Sequence, residues 1–275
     1  MKFLLSLLFV IIGNFTEAQN LAVNYRYEIS TNPTHCIKKA GISKEFIYTY
    51  LIRKNKITDS AVMAIVTYDT SGLILSYENF LLPYDEKSKG VFYYNDSNYV
   101  IKILISYPKR PPTTREFFYD SLGREIFRSS YSKQHATLEW KEYDEAGQLI
   151  KIHSKINNGK KYVSRKYEYK KNGELLRIEG YDLNGRLDFT EYDEYSADKH
   201  EKKSFLKNGG QAMLRSISYY NDKDQLIKKT SYSEIVTEFS EHFYHYNPDG
   251  TVAEWVINSN GTLQQVRRHY YYFFD

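Results

Sequence analysis

The chain has 275 residues, with 38 Lys and Arg against 34 Asp and Glu, and it is rich in aromatic residues, with 28 Tyr and 15 Phe. A net charge of +4 spread along the chain gives little support for nucleic acid or an acidic membrane as a partner. Its single cysteine, Cys36, excludes an internal disulfide framework, a multi-cysteine metal cage and a CxxC redox pair, and we interpret it as a buried apolar filler.

The segment at 1–18 has the pattern of a secretory signal peptide. Lys2 precedes an apolar run at 3–12, and Thr16-Glu17-Ala18 suits cleavage before Gln19. This run is well short of the roughly 20 residues that a spanning helix requires, so we predict no transmembrane segment. We therefore expect a secreted or periplasmic protein, with association to the cell surface left open.

Most of the remaining chain is a repeat region. After an N-terminal segment at 19–43 with little periodicity, a Tyr-Asp/Asn-x-x-Gly-x-Leu signature returns about every 25 residues within 44–275, which we interpret as one β-repeat domain. A fixed period of this size indicates repeat architecture. The anchors are Tyr68, Tyr94, Tyr119, Tyr143, Tyr169, Tyr195, Tyr220 and Tyr246.

Each unit is predicted to contain two strands and two turns. A second set of turn signals, including Asn158-Gly159 and Asn260-Gly261, lies between the anchors, and Asn-Gly favours tight hairpin turns. In the anchor turns, Asp or Asn is expected to cap its own turn while glycine takes the left-handed conformation. The glycines assigned to structural turns are Gly72, Gly123, Gly147, Gly173, Gly185 and Gly250.

The strands between the turns alternate between apolar and charged residues. Ile150 and Ile152 alternate with Lys151 and His153, which is typical of a half-solvated antiparallel sheet. About eight units give about 16 strands, and open sheets seldom exceed about ten strands without curling or closing. We predict an all-β fold of antiparallel β-hairpin repeats that curls its apolar face inward as an extended meander, shell, spiral or irregular barrel. A propeller is less favoured, because no stronger repeat recurs over pairs of units.

The turn signature resembles the YD repeats of the RHS family, which read Tyr-Asp-x-x-Gly-Arg-Leu. The nearest copies are Tyr181-Asp182-Leu183-Asn184-Gly185-Arg186-Leu187 and Tyr119-Asp120-Ser121-Leu122-Gly123-Arg124-Glu125. Asn98 and Asp224 stand where the family has glycine, and Ser196 replaces the acidic residue. RHS proteins are typically much larger and form a β-sheet cocoon around a C-terminal toxin, and no segment here is long enough to be a toxin domain.

Two neighbouring turns, Asn172-Gly173-Glu174-Leu175 and Asn184-Gly185-Arg186-Leu187, are also similar to MORN-variant repeats. Such repeats occur in exported bacterial proteins and toxin-neutralising partners. Both resemblances imply β-hairpin repeats and a binding or scaffold role.

Signatures of catalysis or cofactor binding are absent from the sequence. There is no Gly-x-Ser-x-Gly elbow and no glycine-rich phosphate loop between a strand and a helix, so we predict no cofactor. His242 and His245 are three apart on a strand and face opposite sides, which disfavours a shared metal. Glu191, Asp193 and Glu194 offer the carboxylates of a glycoside hydrolase, but their charged surroundings favour a solvated edge.

Aromatic residues are the remaining candidates for a ligand site. On an exposed face, tyrosine and tryptophan rings stack on sugars or anchor protein partners, whereas on an inward face they form core ladders. The basic aromatic tail at 267–272 suits either contact with an anionic polymer or a closing strand. The candidate ligand-binding residues are Trp140, Tyr167, Tyr169, Tyr244, Tyr246 and Trp255.

The sequence thus predicts an exported, non-catalytic β-repeat protein that binds a polysaccharide or a protein at the cell envelope. A glycan-active hydrolase with carboxylates at a rim and a scaffold or toxin-neutralising partner are the alternatives. Because an open repeat sheet has unpaired edges, we also expect a homodimer through an end strand.

Overall fold

The computed structural model describes residues 38–54, 56–81, 86–133, 135–198, 200–208, 210–233 and 238–273. The predicted signal peptide, most of the segment at 19–43 and Cys36 lie outside these residues. The described part of the chain forms 18 strands. They are β1 (Ile42–Arg53), β2 (Lys56–Tyr68), β3 (Ile74–Leu81), β4 (Glu86–Tyr94), β5 (Val100–Ser106), β6 (Thr113–Tyr119), β7 (Glu125–Tyr131), β8 (Ala136–Tyr143), β9 (Leu149–Ile156), β10 (Tyr162–Tyr169), β11 (Leu175–Tyr181), β12 (Leu187–Tyr195), β13 (Glu201–Asn208), β14 (Gln211–Tyr220), β15 (Leu226–Tyr232), β16 (Phe239–Tyr246), β17 (Val252–Ser259) and β18 (Thr262–Phe273).

The strands form one closed antiparallel barrel. Consecutive strands pair from β2 through β18, and β1 pairs with β2 on one side and with β18 on the other. Ile47 of β1, for example, lies opposite Ala64 of β2 and His269 of β18. Every strand therefore has two hydrogen-bonded neighbours.

The all-β prediction is confirmed. Among the predicted shapes the sheet forms a barrel, so the curled meander or spiral is wrong, and so is the count of about eight units. Nine tyrosine-bearing units complete the barrel. The ninth anchor is Tyr271 of β18, which follows Tyr246 by 25 residues and has no turn signature after it. Its strand pairs instead with β1, which begins at Ile42, just before the predicted start of the repeat domain.

The eight anchor turns all lie at one end of the barrel, which we name the tyrosine rim. In the turn after Tyr68, Asp69 Oδ1 accepts hydrogen bonds from the backbone N–H groups of Ser71 and Leu73, both at 2.8 Å. These bonds satisfy backbone donors that a tight turn leaves unpaired. The same pair of bonds, to the residues two and four positions on, occurs at Asn95, Asp120, Asp182 and Asn221.

Where the structure describes it, the left-handed position of the anchor turns is occupied as the motif requires. The six predicted turn glycines have φ between 75° and 86°. Asn98 and Asp224 take the same position with φ of 64° and 57°, which short polar side chains tolerate better than most. The turn that contains Gly185 joins β11 to β12 and therefore lies at the rim opposite the tyrosine rim.

The anchor tyrosines join successive turns of the tyrosine rim. Each of six hydroxyls donates to the backbone carbonyl of the first residue of the preceding odd-numbered strand, 18 to 20 residues earlier, at 2.5–2.9 Å. Because this sequence separation recurs, the same tyrosine–carbonyl hydrogen bond links each of these six pairs of strands. The bonds run from Tyr94 to Ile74, Tyr119 to Val100, Tyr143 to Glu125, Tyr169 to Leu149, Tyr246 to Leu226 and Tyr271 to Val252.

The apolar core lies inside the barrel, beside the seam where the first strand, β1, pairs with the last strand, β18. Ile47 and Ala64 pack in one cluster with Tyr244 and Trp255, which come from strands that are not their neighbours. Contacts between distant strands of a curved sheet form on its concave side, so this face is the inner face. Following the strand register from these residues assigns the inner and outer faces of every strand.

A buried polar group fastens the closing strand from the inside. Glu45 of β1 accepts the Tyr68 hydroxyl of β2 at 2.7 Å, and its other oxygen lies 2.7 Å from Nδ1 of His269 in β18. All three residues are buried. Paired and hydrogen-bonded in this way, they avoid the cost of an isolated buried charge and join the three strands of the seam.

Across β12 to β16 part of the inner face is polar, which departs from the predicted inward apolar face. The directly paired inner residues of these strands are Asp193, Ser204, Ser216, Ser231 and Ser240. The Ser204 hydroxyl donates to Asp193 at 2.6 Å. The clusters of buried apolar residues lie around β1, β2, β16 and β17, and the inward-facing Ile105 and Ile152 are buried as well.

The outer face mixes aromatic rings with ion pairs between neighbouring strands, such as Lys228–Glu241 at 2.8 Å and Arg268–Glu254 at 2.9 Å.

The predicted edge-strand homodimer loses its basis, because β1 and β18 pair with each other and the described strands leave no open edge. Within the described residues, no helix is long and apolar enough to cross a membrane.

Candidate functional site

The six aromatic residues predicted to bind a ligand occupy different environments. Trp255 and Tyr244 are only 2% and 5% exposed and stack on each other in the core, with ring centroids 5.4 Å apart. The Trp255 indole N–H donates to Nδ1 of His242 at 3.1 Å. This placement corrects the expectation of ligand contact for these two residues, since a ligand does not reach rings enclosed in the core.

The tyrosines of the set are mainly parts of the scaffold. Tyr169 and Tyr246 are half-buried anchors that donate to backbone carbonyls, and burial, followed by the Tyr220 charge, raises the pKa of Tyr246 to about 12. Tyr167 pairs with Ile178 on the inner face and is half-buried. Trp140 alone among the six lies on the outer face, and ligand contact by this residue stays a prediction.

Trp140 belongs to a line of rings that we name the aromatic row, consisting of Phe118, Phe127 and Trp140. These residues lie directly opposite one another on β6, β7 and β8. Their ring centroids are 5.4 Å and 5.3 Å apart, in tilted arrangements favourable for aromatic pairs. Phe118 is 49% exposed, and it is the end of the row nearest the tyrosine rim.

The aromatic row continues into a pocket of about 550 Å³ between two anchor turns, which we name the rim pocket. Phe118 lines it together with Tyr99, Ile101 and Leu122, and Leu122 is 73% exposed. Such contiguous exposed apolar side chains are characteristic of interaction sites. Its polar lining comes from the turns: Asn95, Ser97, Asp120 and Ser121.

Turn chemistry determines the shape of the rim pocket. Tyr99 stacks on Tyr119, with centroids 5.0 Å apart, and its hydroxyl end lies against Gly123, where a side-chain carbon would overlap it. Asp120 is held as a carboxylate: chiefly the backbone N–H of Arg124, then its side chain and the N–H of Leu122, keep the pKa of Asp120 below its ordinary value against a smaller desolvation effect. The pocket thus has an aromatic wall beside a turn whose carboxylate, Asp120, is 2.7 Å from the Arg124 guanidinium.

Charged groups surround the other end of the aromatic row. Lys161 places its ammonium 4.5 Å from the ring centroid of Trp140, a cation–π arrangement. His153, directly opposite Trp140, lies 2.6 Å from Glu142. Desolvation raises the pKa of Glu142, but the His153 hydrogen bond and the charges of His153 and Lys151 outweigh it and lower the pKa overall.

The carboxylates considered for catalysis lie on different faces of the sheet. Glu191 and Asp193 share the inner face and border a pocket of about 290 Å³, whereas Glu194 points outward opposite Lys203. Asp193 is 3.5 Å from the Lys202 ammonium. Burial lowers the pKa of Lys202, but Asp193 and nearby tyrosines raise it overall. With Glu191 exposed, neither carboxyl is in the desolvated setting that a glycosidase acid uses.

The register places His242 on the inner face, beside Ser240, and His245 on the outer face. Among the described residues, no group of three or more His, Cys, Asp or Glu is arranged to hold a metal ion.

Sequence reasoning found Trp140 but missed its companions. Phe118 and Phe127 are ordinary strand residues in the sequence, and only the pairing of three consecutive strands aligns them with Trp140. A signal was available, because the anchor turns define the register of each hairpin. Extending that register from turn to turn aligns the three rings.

Comparison with known proteins assigns no family. No family model matches the chain, and no curated protein matches its sequence. Among solved structures, a porin-like protein from Bacteroides uniformis is 12% identical over 84% of this chain and 98% of its own, with a TM-score of 0.43. The TcdB2-TccC3 structure is 12% identical over 78% of this chain and 14% of its own, with a TM-score of 0.27. A DUF1329 family protein from Desulfovibrio piger is 11% identical over 86% and 87%, with a TM-score of 0.17. Similarities this low carry no functional assignment.

Proposed function

We propose that the protein is an exported, non-catalytic binding protein that holds a polysaccharide of the cell envelope along the aromatic row and in the rim pocket. The observation that supports this proposal is that the aromatic row and the rim pocket form one continuous surface. Three aligned rings on the outer face lead, through Phe118, into a pocket whose apolar floor is bordered by turn hydroxyl and amide groups.

The width of this surface favours a sugar chain over a folded protein partner. The residues beside the aromatic row on one side are Glu116, Ser129 and Leu138, and on the other side are Glu142 and Lys151. The row is therefore one ring wide, with Leu138 as the one apolar residue among these five neighbours, whereas a standard protein interface buries roughly 800 Å² on each partner. Sugar rings present C–H faces to aromatic rings and hydroxyls to polar groups at the edge, which suits a narrow track.

The test is a binding measurement on residues 19–275 against a panel of envelope polysaccharides, with sugar release followed in the same samples. Trp140→Ala is expected to weaken binding about tenfold or more, as central aromatic contacts do. Phe118→Ala should also weaken it, and because this side chain is half exposed the variant is expected to fold. Tyr272→Ala, which removes a 59% exposed ring elsewhere on the outer face, is the matched control.

Retention of a polysaccharide by the native chain and by Tyr272→Ala, with loss in the two row variants, supports the proposal. Equal binding by all four proteins, or no binding by the native chain, contradicts it. Release of sugar would establish a hydrolase instead.

A further inference from the structure

The aromatic row ends in a concentration of basic residues on β9, on β10 and in the connection between them, which we name the basic flank: Lys151, His153, Lys155, Lys161 and Lys166. The register places these side chains on the same outer face. His153 lies opposite Trp140, Lys155 opposite Leu138, and Lys151 opposite both Glu142 and Lys166. Lys161 completes the group by covering the Trp140 ring.

The carboxylates on this face only partly balance the basic flank. Glu142 is 2.6 Å from His153 and 3.4 Å from Lys151. Glu168, on the outer face of β10, is 2.7 Å from Arg177 of β11, and Glu179 of β11 lies opposite Lys166 and 3.3 Å from Arg177. Lys155 and Lys161 thus add positive charge that these three carboxylates do not offset.

We propose that the ligand of the aromatic row is an acidic linear polysaccharide, such as a polyuronate, whose sugar rings follow the row while its carboxylates contact the basic flank. This inference rests on the proposed function and adds the charge of the ligand. Lys161 is the residue that links the two features, because it is exposed and lies over the ring on which a sugar would stack. A carboxylate beside that ring draws the ammonium from the ring face into an ion pair.

The attraction acts between exposed groups and is therefore screened by salt. Raising salt from about 0.1 M to about 1 M shortens the Debye length from about 10 Å to about 3 Å. Stacking on the row is not screened in this way. Binding of an acidic chain should consequently have a salt-sensitive part that a neutral chain of the same backbone lacks.

The experiment compares polygalacturonate with its fully methyl-esterified form, at low and high salt, using residues 19–275. Lys161→Gln removes the charge at the row. Lys87→Gln is the matched control, since Lys87 is also an exposed lysine over an aromatic ring, 5.1 Å from the centroid of Phe80. Double-stranded DNA serves as a polyanion without pyranose chains.

We expect the acidic polymer to bind more tightly than its ester at low salt, with most of the difference lost at high salt. Lys161→Gln should weaken polygalacturonate binding about two- to fivefold and leave ester binding unchanged, as an exposed ion pair predicts. Lys87→Gln should bind as the native chain does.

Equal affinity for both polymers that still depends on Trp140 overturns the inference and leaves the proposed function standing. Equal binding of DNA overturns it as well, because the attraction is then general to polyanions. Failure of both polymers and of every other polysaccharide in the panel contradicts the proposed function itself.

Discussion

Single turn residues shape the rim pocket. Gly123 has a φ of 76° and supports Tyr99, while Gly185 has a φ of 75° in a turn where a side-chain carbon would meet no neighbouring atom within 4 Å. The two glycines therefore share one backbone requirement and differ in what surrounds them. The Tyr-Asp signature predicts both turns, but it does not predict the contact between Gly123 and Tyr99.

This pair gives a test at the residue scale. Gly123→Ala and Gly185→Ala should each lower the free energy of unfolding by about 1 to 2 kcal/mol, the cost of a left-handed conformation for an L-residue. Only Gly123→Ala should also displace Tyr99 and weaken polysaccharide binding. Urea denaturation measures the first effect and the binding assay the second, and equal binding by the two variants would show that Tyr99 does not shape the site.

At the scale of elements, the anchor tyrosines convert a local motif into a regular rim. Their positions and the alternating strands were readable in the sequence, because turn chemistry and period-two burial are properties of short segments. The carbonyls that six of the hydroxyls reach were not readable, since each belongs to the preceding strand and depends on strand pairing. Phe118 and Phe127 were missed for the same reason, because their alignment with Trp140 depends on strand pairing.

Removing one such bond tests the role of the anchors. Tyr246→Phe should cost about 1 to 3 kcal/mol of unfolding free energy, because it leaves the Leu226 carbonyl without its donor. Tyr195→Phe is the control, since this anchor is 55% exposed. Chemical denaturation at neutral pH measures the free energy of unfolding of both variants. An equal loss in both would contradict a stabilising role for the Tyr246 cross-link.

The same variant has an expected pH dependence. Burial raises the pKa of Tyr246 to about 12. The stability that its neutral hydroxyl contributes to the fold is therefore fully present below the ordinary tyrosine pKa of about 10 and is lost as pH rises through about 12. The stability difference between the native chain and Tyr246→Phe should therefore shrink over this interval. A constant difference in denaturation midpoints from pH 9 to pH 12 would contradict it.

For the whole molecule, closure depends on β1. This strand contributes Ile47 to the core and Glu45 to the buried polar group, and it occupies the space between β2 and β18. Its removal would leave two unpaired edges, which are templates for pairing with another chain.

We therefore expect the full barrel to be monomeric and a chain beginning after Arg53 to self-associate. Light scattering over a range of concentrations distinguishes the two. A truncated chain that stays monomeric, or a full chain that dimerises to the same extent, would show that closure by β1 does not protect the edges.

The repeat, the positions of its turns and the all-β class follow from the sequence, because each depends on residues a few positions apart. Closure of the sheet does not, since it joins Ile42–Arg53 to Thr262–Phe273, the two strands farthest apart in the chain, and β1 carries no anchor tyrosine. The tertiary structure also decided which aromatic rings are accessible. Trp140 and Trp255 both lie in alternating strands, and the direction in which the barrel curves places one outside and the other in the core.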